Sequence, residues 1–312
     1  MQSSISVVIP HYGDPAPTLA VIDQLSRQRH SGAIQVIVAD DHSPVPFPDR
    51  NALTAGGPAF EVVRLPRNSG FGSAVNAGAG RAKNPMLMVL NSDVDLGETF
   101  VSDLMAHAEE RRPAVLGPRV IEAGAPKVTA WHWPTVRGLV AEWLRPLARW
   151  HSTRRLQEFW GADLKADASA ADTEVDWLVG VCLLMPTSAF REIGGFDERY
   201  FMNCEEVDLQ RRLAARGVPS VFVPEVILRH EGGGSSDPER KAGWLVDSRF
   251  RYHEKWGGSA RLLAGLMGAT MVNTAWNLVR GAVARPTAPW ATAREESARV
   301  MHGWRNRKVV AR

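Results

Sequence analysis

The chain has 312 residues, 45% hydrophobic and 23% charged, the balance of a folded globular protein and not of a disordered or low-complexity one. Its two cysteines, Cys182 and Cys204, are too few for a disulfide framework and lack C-x-x-C spacing, so a reducing, cytoplasmic setting is expected. The net charge of +3 conceals an asymmetry: residues 249–312 carry 12 Lys/Arg against three Glu, a balance of +9 that leaves −6 for residues 1–248.

The N-terminal MQSSISVVIPHYGD has no basic start and only a short apolar run before Pro10, which argues against a signal peptide. ISVVIP (5–10) reads as a buried strand. It is followed by a loop and by TLAVIDQLSRQ, with Leu19, Ile22 and Leu25 at helical spacing. IQVIVADD (34–41) and FEVVRLP (60–66) are two more apolar runs. NSGFGSAVNAGAGRA (68–82) reads as a Gly-rich turn entering a helix, and PMLMVLNSDVD (85–95) as a fourth strand ending in acids. This order predicts an α/β fold with a mostly parallel, Rossmann-like sheet flanked by helices. Ligands of such sheets collect beyond the carboxyl ends of the strands, where Tyr12, Asp40, Asp41, Asn68, Asp93 and Asp95 would lie.

Residues 98–112 read as a helix and 115–121 as a strand. The texture then changes, because residues 131–160 hold five of the 11 tryptophans. WLVGVCLLMP (177–186) restores an apolar strand, and SAFREIGGFDERYF forms a helix and turn. EEVDLQRRLAARG (205–217) reads as a helix closed by Gly217, and SVFVPEVILRH is a strand ending in His230 before a Gly/Ser run. From about residue 238 the pattern is helical, with breaks at Pro286 and Pro289. Residues 262–283 are long enough to span a bilayer, but Thr270, Asn273, Thr274, Asn277 and Arg280 interrupt them, which favours a packed or interfacial helix.

Asp93 and Asp95 pose a chemical question, since two carboxylates at a strand end repel each other and lose hydration if buried. A solvated turn answers it, and so does a divalent cation such as Mg²⁺ or Mn²⁺, held by one or two carboxylates and substrate phosphates. The surrounding series decides the reading. ISVVIPHYGD, VIVADDHSP, LPRNSGFGSAVNAG, MVLNSDVDL, GGFDERYFMNCEEVDLQRRL and ILRHEGGGSS, in that order over residues 3–236, resemble the family 2 glycosyltransferases of GT-A fold, particularly rhamnosyltransferase-like and galactofuranosyltransferase-like members.

The resemblance implies a GT-A catalytic domain over residues 1–236, with a Trp-rich insert at about 130–175 and a basic helical extension at 237–312. It implies an inverting transfer from a UDP- or dTDP-linked sugar, rhamnose or galactofuranose, to a glycan or polyprenyl-linked acceptor. Asp40 or Asp41 would accept from the base or ribose, with Pro10, Tyr12, Asn68, Gly70, Asn76 and Ser92 also on the nucleotide. Asp93, Asp95 and His230 would hold Mn²⁺ or Mg²⁺. The usual E-D-x-D-L motif reads Glu205, Glu206, Val207, Asp208 here, so Glu206 stands in the place of the general base and Glu205 is its alternative. The D-x-D also departs from the commonest pattern, which ends at position 93; here Asn91, Ser92 and Asp93 stand there and the second carboxylate follows at Asp95. Arg211 or Arg212 would pair with these acids or with phosphate. The tryptophans and the basic tail suit a protein lying peripherally on the inner face of the cell membrane, and no familiar nucleic-acid motif is present. The rival reading is a protein that binds nucleotide sugars without turnover.

Overall fold

The computed structural model describes residues 3–48, 59–111, 113–232, 238–283 and 287–308. The first part alternates strand and helix: β1 (Ile5–His11), α1 (Pro15–Ser26), β2 (Ile34–Asp40), β3 (Glu61–Arg64), α2 (Phe71–Ala79) and β4 (Met86–Leu90). Every residue of β4 is buried, as expected of a strand covered by helices on both faces. α1 starts where the sequence permits it, with Asp14 accepting from the Ala16 amide (3.0 Å) and Pro15 in the first turn. α2 lies close against β1, because a side-chain carbon on Gly78 would come within 2.6 Å of Val8.

There follow β5 (Val94–Leu96), α3 (Phe100–Glu110), β6 (Val115–Glu122), β7 (Ala125–Pro126) and β8 (Ala130–Trp131). The Trp-rich segment folds as α4 (Val136–Trp143), a 3-10 turn (Arg145–Trp150), α5 (Arg154–Trp160) and α6 (Leu164–Asp167). The chain then returns through β9 (Thr173–Val175), β10 (Trp177–Leu178), β11 (Cys182–Pro186), α7 (Thr187–Glu192), α8 (Glu205–Ala214) and β12 (Ser220–His230). Three helices close it: α9 (Pro238–Trp256), α10 (Ser259–Ala282) and α11 (Pro289–Asn306).

The main sheet runs β3-β2-β1-β4-β11-β6-β12-β5. β1 to β4 are parallel, as are β6 and β12, whereas β11 and β5 run antiparallel to their neighbours. The sheet is thus mixed and mostly parallel, with one apolar core on each face. Two expected strands are broken. Residues 85–95 turn at Asn91–Asp93, and β5 crosses to pair with β12 instead of continuing β4. Residues 177–186 divide into β10, which pairs with β8, and β11 in the main sheet, with Val179–Val181 left as a loop between them. Both breaks occur at the functional edge.

The Trp-rich segment packs on the C-terminal helices. Leu139 of α4 shares a core with Val246, Phe250, Leu262, Leu266 and Val300. Two of the polar residues that interrupt α10, Thr270 and Asn273, face this junction. Buried Asn273 accepts from the Arg145 amide (2.8 Å) and donates to Trp143 O and Glu296 (3.0 Å each), and Thr270 accepts from the Trp143 indole (3.0 Å). α10 is, among the described residues, the one helix long and apolar enough to cross a membrane, yet its polar stripe is docked on the protein. The expected boundary at 236/237, the Gly/Ser run from 233 and the break at Pro286 lie outside the described residues.

Candidate active site

A cavity of about 600 Å³ opens at the carboxyl ends of β1 and β4 and at the first turn of α8. Pro10, His11 and Tyr12, then Asn91, Ser92 and Asp93, and then Glu205 and Glu206 line it. Segments almost two hundred residues apart in sequence meet here because parallel strands deliver their ends to one edge.

The acid pair is aimed by strained backbone. Asn203 (φ 71°) and Cys204 (φ 64°) both adopt the left-handed conformation immediately before α8, which costs about 1–3 kcal/mol per residue without a glycine. Burial raises the pKa of both Glu205 and Glu206, and for Glu205, only 4% exposed, the neighbouring charge of Glu206 adds to the effect. One carboxylate oxygen of each has no hydrogen-bond partner. A buried oxygen left without a donor is destabilising by itself, and is suited to accept a proton or hydroxyl from a ligand.

Behind Asp93, His230 at the end of β12 places Nε2 3.2 Å from Asp93 Oδ1 and Nδ1 3.7 Å from Glu122 Oε1. The hydrogen bond from His230 holds Asp93 below its usual pKa. Among the described residues no cluster of three or more His, Cys, Asp or Glu is arranged to hold a metal unaided. A hard cation needs no such cluster when substrate phosphates complete its shell, and one carboxylate beside one imidazole fits Mn²⁺ or Mg²⁺ in that way. Glu122 lies beyond hydrogen-bond reach of the other ring nitrogen, so it acts on His230 only as a nearby negative charge. Lys127 pairs with Glu122 and lines the cavity, a cation placed for a diphosphate.

Asp95 is elsewhere. Val94 and Leu96 point into the core, so strand alternation turns Asp95 outward, where its side chain is 57% exposed, 4.0 Å from Arg229 and in a separate hollow with Asp23 and Glu98. The bend at Asp93 means that D-x-D spacing does not put both carboxylates on one side.

The nucleotide candidates divide as well. Pro10, Tyr12, Asp41 and Ser92 line the cavity. Asp40 does not; it is fully buried and accepts from the amides of Ser43 (2.7 Å) and Phe47 (3.1 Å) and from Arg64. Burial would raise its pKa, but these hydrogen bonds outweigh that and hold it low. Asp41 accepts from the amides of Ser69 (2.7 Å) and Gly70 (2.8 Å), fixing the Gly-rich turn, and burial raises its pKa. Gly70 (φ 91°) must be glycine, since a side-chain carbon there would collide with the Phe201 carbonyl. Asn76 bridges α2 to the turn before α8, donating to Phe196 O (2.9 Å) and accepting from Phe196 N (2.8 Å). Asn68 keeps one buried oxygen without a partner but does not line the cavity. Gly70 and Asn76 thus hold the site's scaffold together.

The remaining charges of α8 also serve the scaffold. Fully buried Asp208 accepts from Arg212 (2.8 Å), Lys255 (2.8 Å) and the Trp256 indole (2.9 Å), tying α8 to α9. Arg212 also donates to Ile193 O (3.0 Å), and Arg211 donates to the Tyr252 hydroxyl (2.6 Å). His11, Glu122 and Lys127 were not legible as site residues. His11 stood in a quoted motif: it is 2.8 Å from the Thr18 hydroxyl through Nδ1, leaves Nε2 buried and unpartnered, and has its pKa lowered by burial. Glu122 and Lys127 carry no local signal, because only the pairing of β6 with β12 brings them to His230.

Comparison with known proteins gives the family and the fold. The model of the family described as glycosyl transferase family 2 matches residues 6–171, just over half of the chain. The N-acetylglucosaminyl-diphospho-decaprenol L-rhamnosyltransferase of Mycobacterium tuberculosis is 33% identical over 211 residues, covering 60% of this chain and 66% of that protein. Rhamnosyltransferase WbbL of Escherichia coli is 38% identical over 84 residues, 26% of this chain and 32% of that one. The match therefore spans less than two thirds of either relative. Among solved structures, a mannosyltransferase from Pyrobaculum calidifontis in complex with GDP-Man and Mn²⁺ aligns over 99% of this chain and 87% of its own, with a TM-score of 0.58 at 13% identity. GalNAc-T7 with UDP, GalNAc and Mn²⁺ aligns over 81% of this chain and 48% of its own, with a TM-score of 0.56 at 17% identity. These two share the GT-A fold with this chain.

Proposed function

The chain belongs to glycosyltransferase family 2, and from that premise we propose that it transfers a sugar from a UDP- or dTDP-linked donor to a hydroxyl of a glycan or polyprenyl-linked acceptor, with inversion. The observation that carries this reading is the convergence of Glu205, Glu206, Asp93 and the strand-end wall Pro10–Tyr12 on one cavity, with His230 joined to Asp93 beneath it. Glu206 takes the proton of the acceptor hydroxyl as that oxygen attacks the anomeric carbon from the face opposite the leaving diphosphate. Glu205 stands beside it, its pKa raised by burial and by the charge of Glu206. Asp93 and His230 would hold a divalent cation, which would supply neutralisation of negative charge on a nucleoside diphosphate. Lys127 contributes a fixed positive charge on the same side.

The rhamnosyl donor and the lipid-linked acceptor follow the rhamnosyltransferase relatives. A place at the cytoplasmic face of the membrane is supported by the outward side of α10, where Met271 (74% exposed), Val272, Leu278 and Val279 are turned away from the protein. Trp150 and Phe159 are likewise exposed, among Arg149, Arg154 and Arg155. Co-sedimentation with anionic vesicles that declines with added salt, and with replacement of Val272 and Val279 by Ser, is the expected result.

The activity is tested by presenting UDP-, dTDP- and GDP-sugars with and without Mn²⁺ and reading hydrolysis and transfer. A preference of tenfold or more for one nucleotide, dependent on the metal and giving a product of inverted configuration by NMR, is expected. Donor binding with neither hydrolysis nor transfer in the presence of candidate acceptors would return the chain to the nucleotide-sugar-binding reading.

A further inference from the structure

A second cavity, of about 520 Å³, lies where the start of α4, the middle of α8, the end of α9 and the start of α10 meet. Its lining carries Arg137, Arg211 and Arg261 together with His253 and Trp256, and no acid. Arg137 and Arg261 make no hydrogen bond or ion pair among the described residues and are exposed. Arg211 is held in place by the Tyr252 hydroxyl (2.6 Å), with its guanidinium 4.4 Å from the centre of the Trp256 ring. His253 is 4% exposed, and its Nδ1 lies 3.0 Å from the Gly257 carbonyl, the geometry of an Nδ1–H donor. Its Nε2 is buried in the cavity wall without a partner.

Three guanidiniums around one hollow repel one another, and a buried ring nitrogen without a partner is unfavourable in addition. The first penalty disappears when an anion with several acceptor oxygens enters, and the second disappears once Nε2 takes up a proton and donates to that anion. Burial, with the nearby charges of Arg211, Arg249 and Arg261, depresses the pKa of His253, and a bound dianion would reverse that and let Nε2 donate as well. Planar guanidiniums match phosphate oxygens pairwise, and Arg211 is already fixed at the cavity by Tyr252 and Trp256.

The position in the fold identifies the ligand. α8 borders both cavities: Glu206 in its first turn faces the larger one, and Arg211, five residues on, about 7–8 Å along the axis and about 140° around it, faces the smaller, so a ligand that reaches both bends around the flank of the helix. Arg261 belongs to α10, whose later residues present the outward apolar side. We propose that this cavity binds the diphosphate ester of a lipid-linked acceptor while the acceptor's sugar hydroxyl reaches Glu206. The assignment rests on the transfer to a lipid-linked acceptor proposed above.

The test uses the full chain in EDTA, so that Asp93 and His230 are without metal, and titrates inorganic pyrophosphate while following binding heat and the histidine NMR signals. Saturable binding that moves the His253 resonance is expected. Arg137→Ala with Arg261→Ala should weaken it by about tenfold or more at unchanged thermal unfolding, whereas Asp93→Asn should leave it intact. Equal affinity in the wild type and the double variant, or no saturable binding, overturns the site. Geranyl diphosphate should compete with pyrophosphate; a cavity that takes the free ion and refuses the ester overturns its assignment to the acceptor. Because this readout needs neither donor nor turnover, loss of the transferase reading would appear in the sugar-nucleotide panel while pyrophosphate binding persisted.

Discussion

The segment from β2 to α2 and the group made by the cavity-lining His11, Glu205 and Glu206, with His230 behind Asp93, both carry polar residues, yet they use them in opposite ways. In the first, Asp40, Asp41 and Asn76 spend their hydrogen-bonding capacity on backbone amides and carbonyls of the loops around them. In the second, His11 Nε2, one oxygen each of Glu205 and Glu206, and His230 Nδ1 are buried without a hydrogen-bond partner. A saturated buried polar group holds a shape, whereas an unsatisfied one raises the energy of the free protein and is relieved by what binds. Unfilled capacity separates Asp40, Asp41 and Asn76 from the second group; Asn68, in the same segment, keeps one buried oxygen unpartnered and sides with the second group in this respect.

Substitutions can break this contrast at either end. The largest effect is expected for Glu206→Gln, which should lower kcat by about 10²–10⁴-fold while leaving donor binding within reach of the wild type, as read by steady-state kinetics and by titration of the nucleoside diphosphate. In the saturated segment, Asp40→Ala leaves the Ser43 and Phe47 amides and Arg64 without their acceptor. A loss of about 3 kcal/mol in urea unfolding is expected, so unchanged stability would contradict a structural role for Asp40. Asp93→Asn should weaken Mn²⁺ binding, followed by calorimetry with nucleotide present, by tenfold or more.

Glu205 gives the reverse sign to Asp40. Its folded-state pKa is raised above the unfolded value, so ionisation opposes folding, and the stability present below the unfolded pKa is lost as pH rises through the folded one. Glu205→Gln should therefore stabilise the metal-free protein on the order of 1 kcal/mol in mildly alkaline buffer. The gain should shrink as pH falls toward the ordinary glutamate range; a destabilised variant would mean that the acid has a partner. Smallest of all, Asp95→Asn should change stability by no more than about 0.5 kcal/mol and activity by less than about twofold, since this carboxylate is exposed and apart from the cavity.

The sequence by itself determined the alternation of strand and helix through β4, the helix at 205 and the strand ending at His230, because burial on both faces and helical spacing are written in runs of adjacent residues. It also marked Glu205, Glu206, Asp93 and His230, through a series of motifs whose order resembles one family. Only the tertiary structure decided between Asp93 and Asp95, since a bend of one residue reverses which side of the strand a carboxylate faces. Tertiary structure likewise brought Glu122 and Lys127 to the histidine, gathered Arg137, Arg211 and Arg261 around one hollow, and turned the polar stripe of α10 inward. Whether a polar group is satisfied depends on partners as many as 150 residues away, and local pattern carries no record of them.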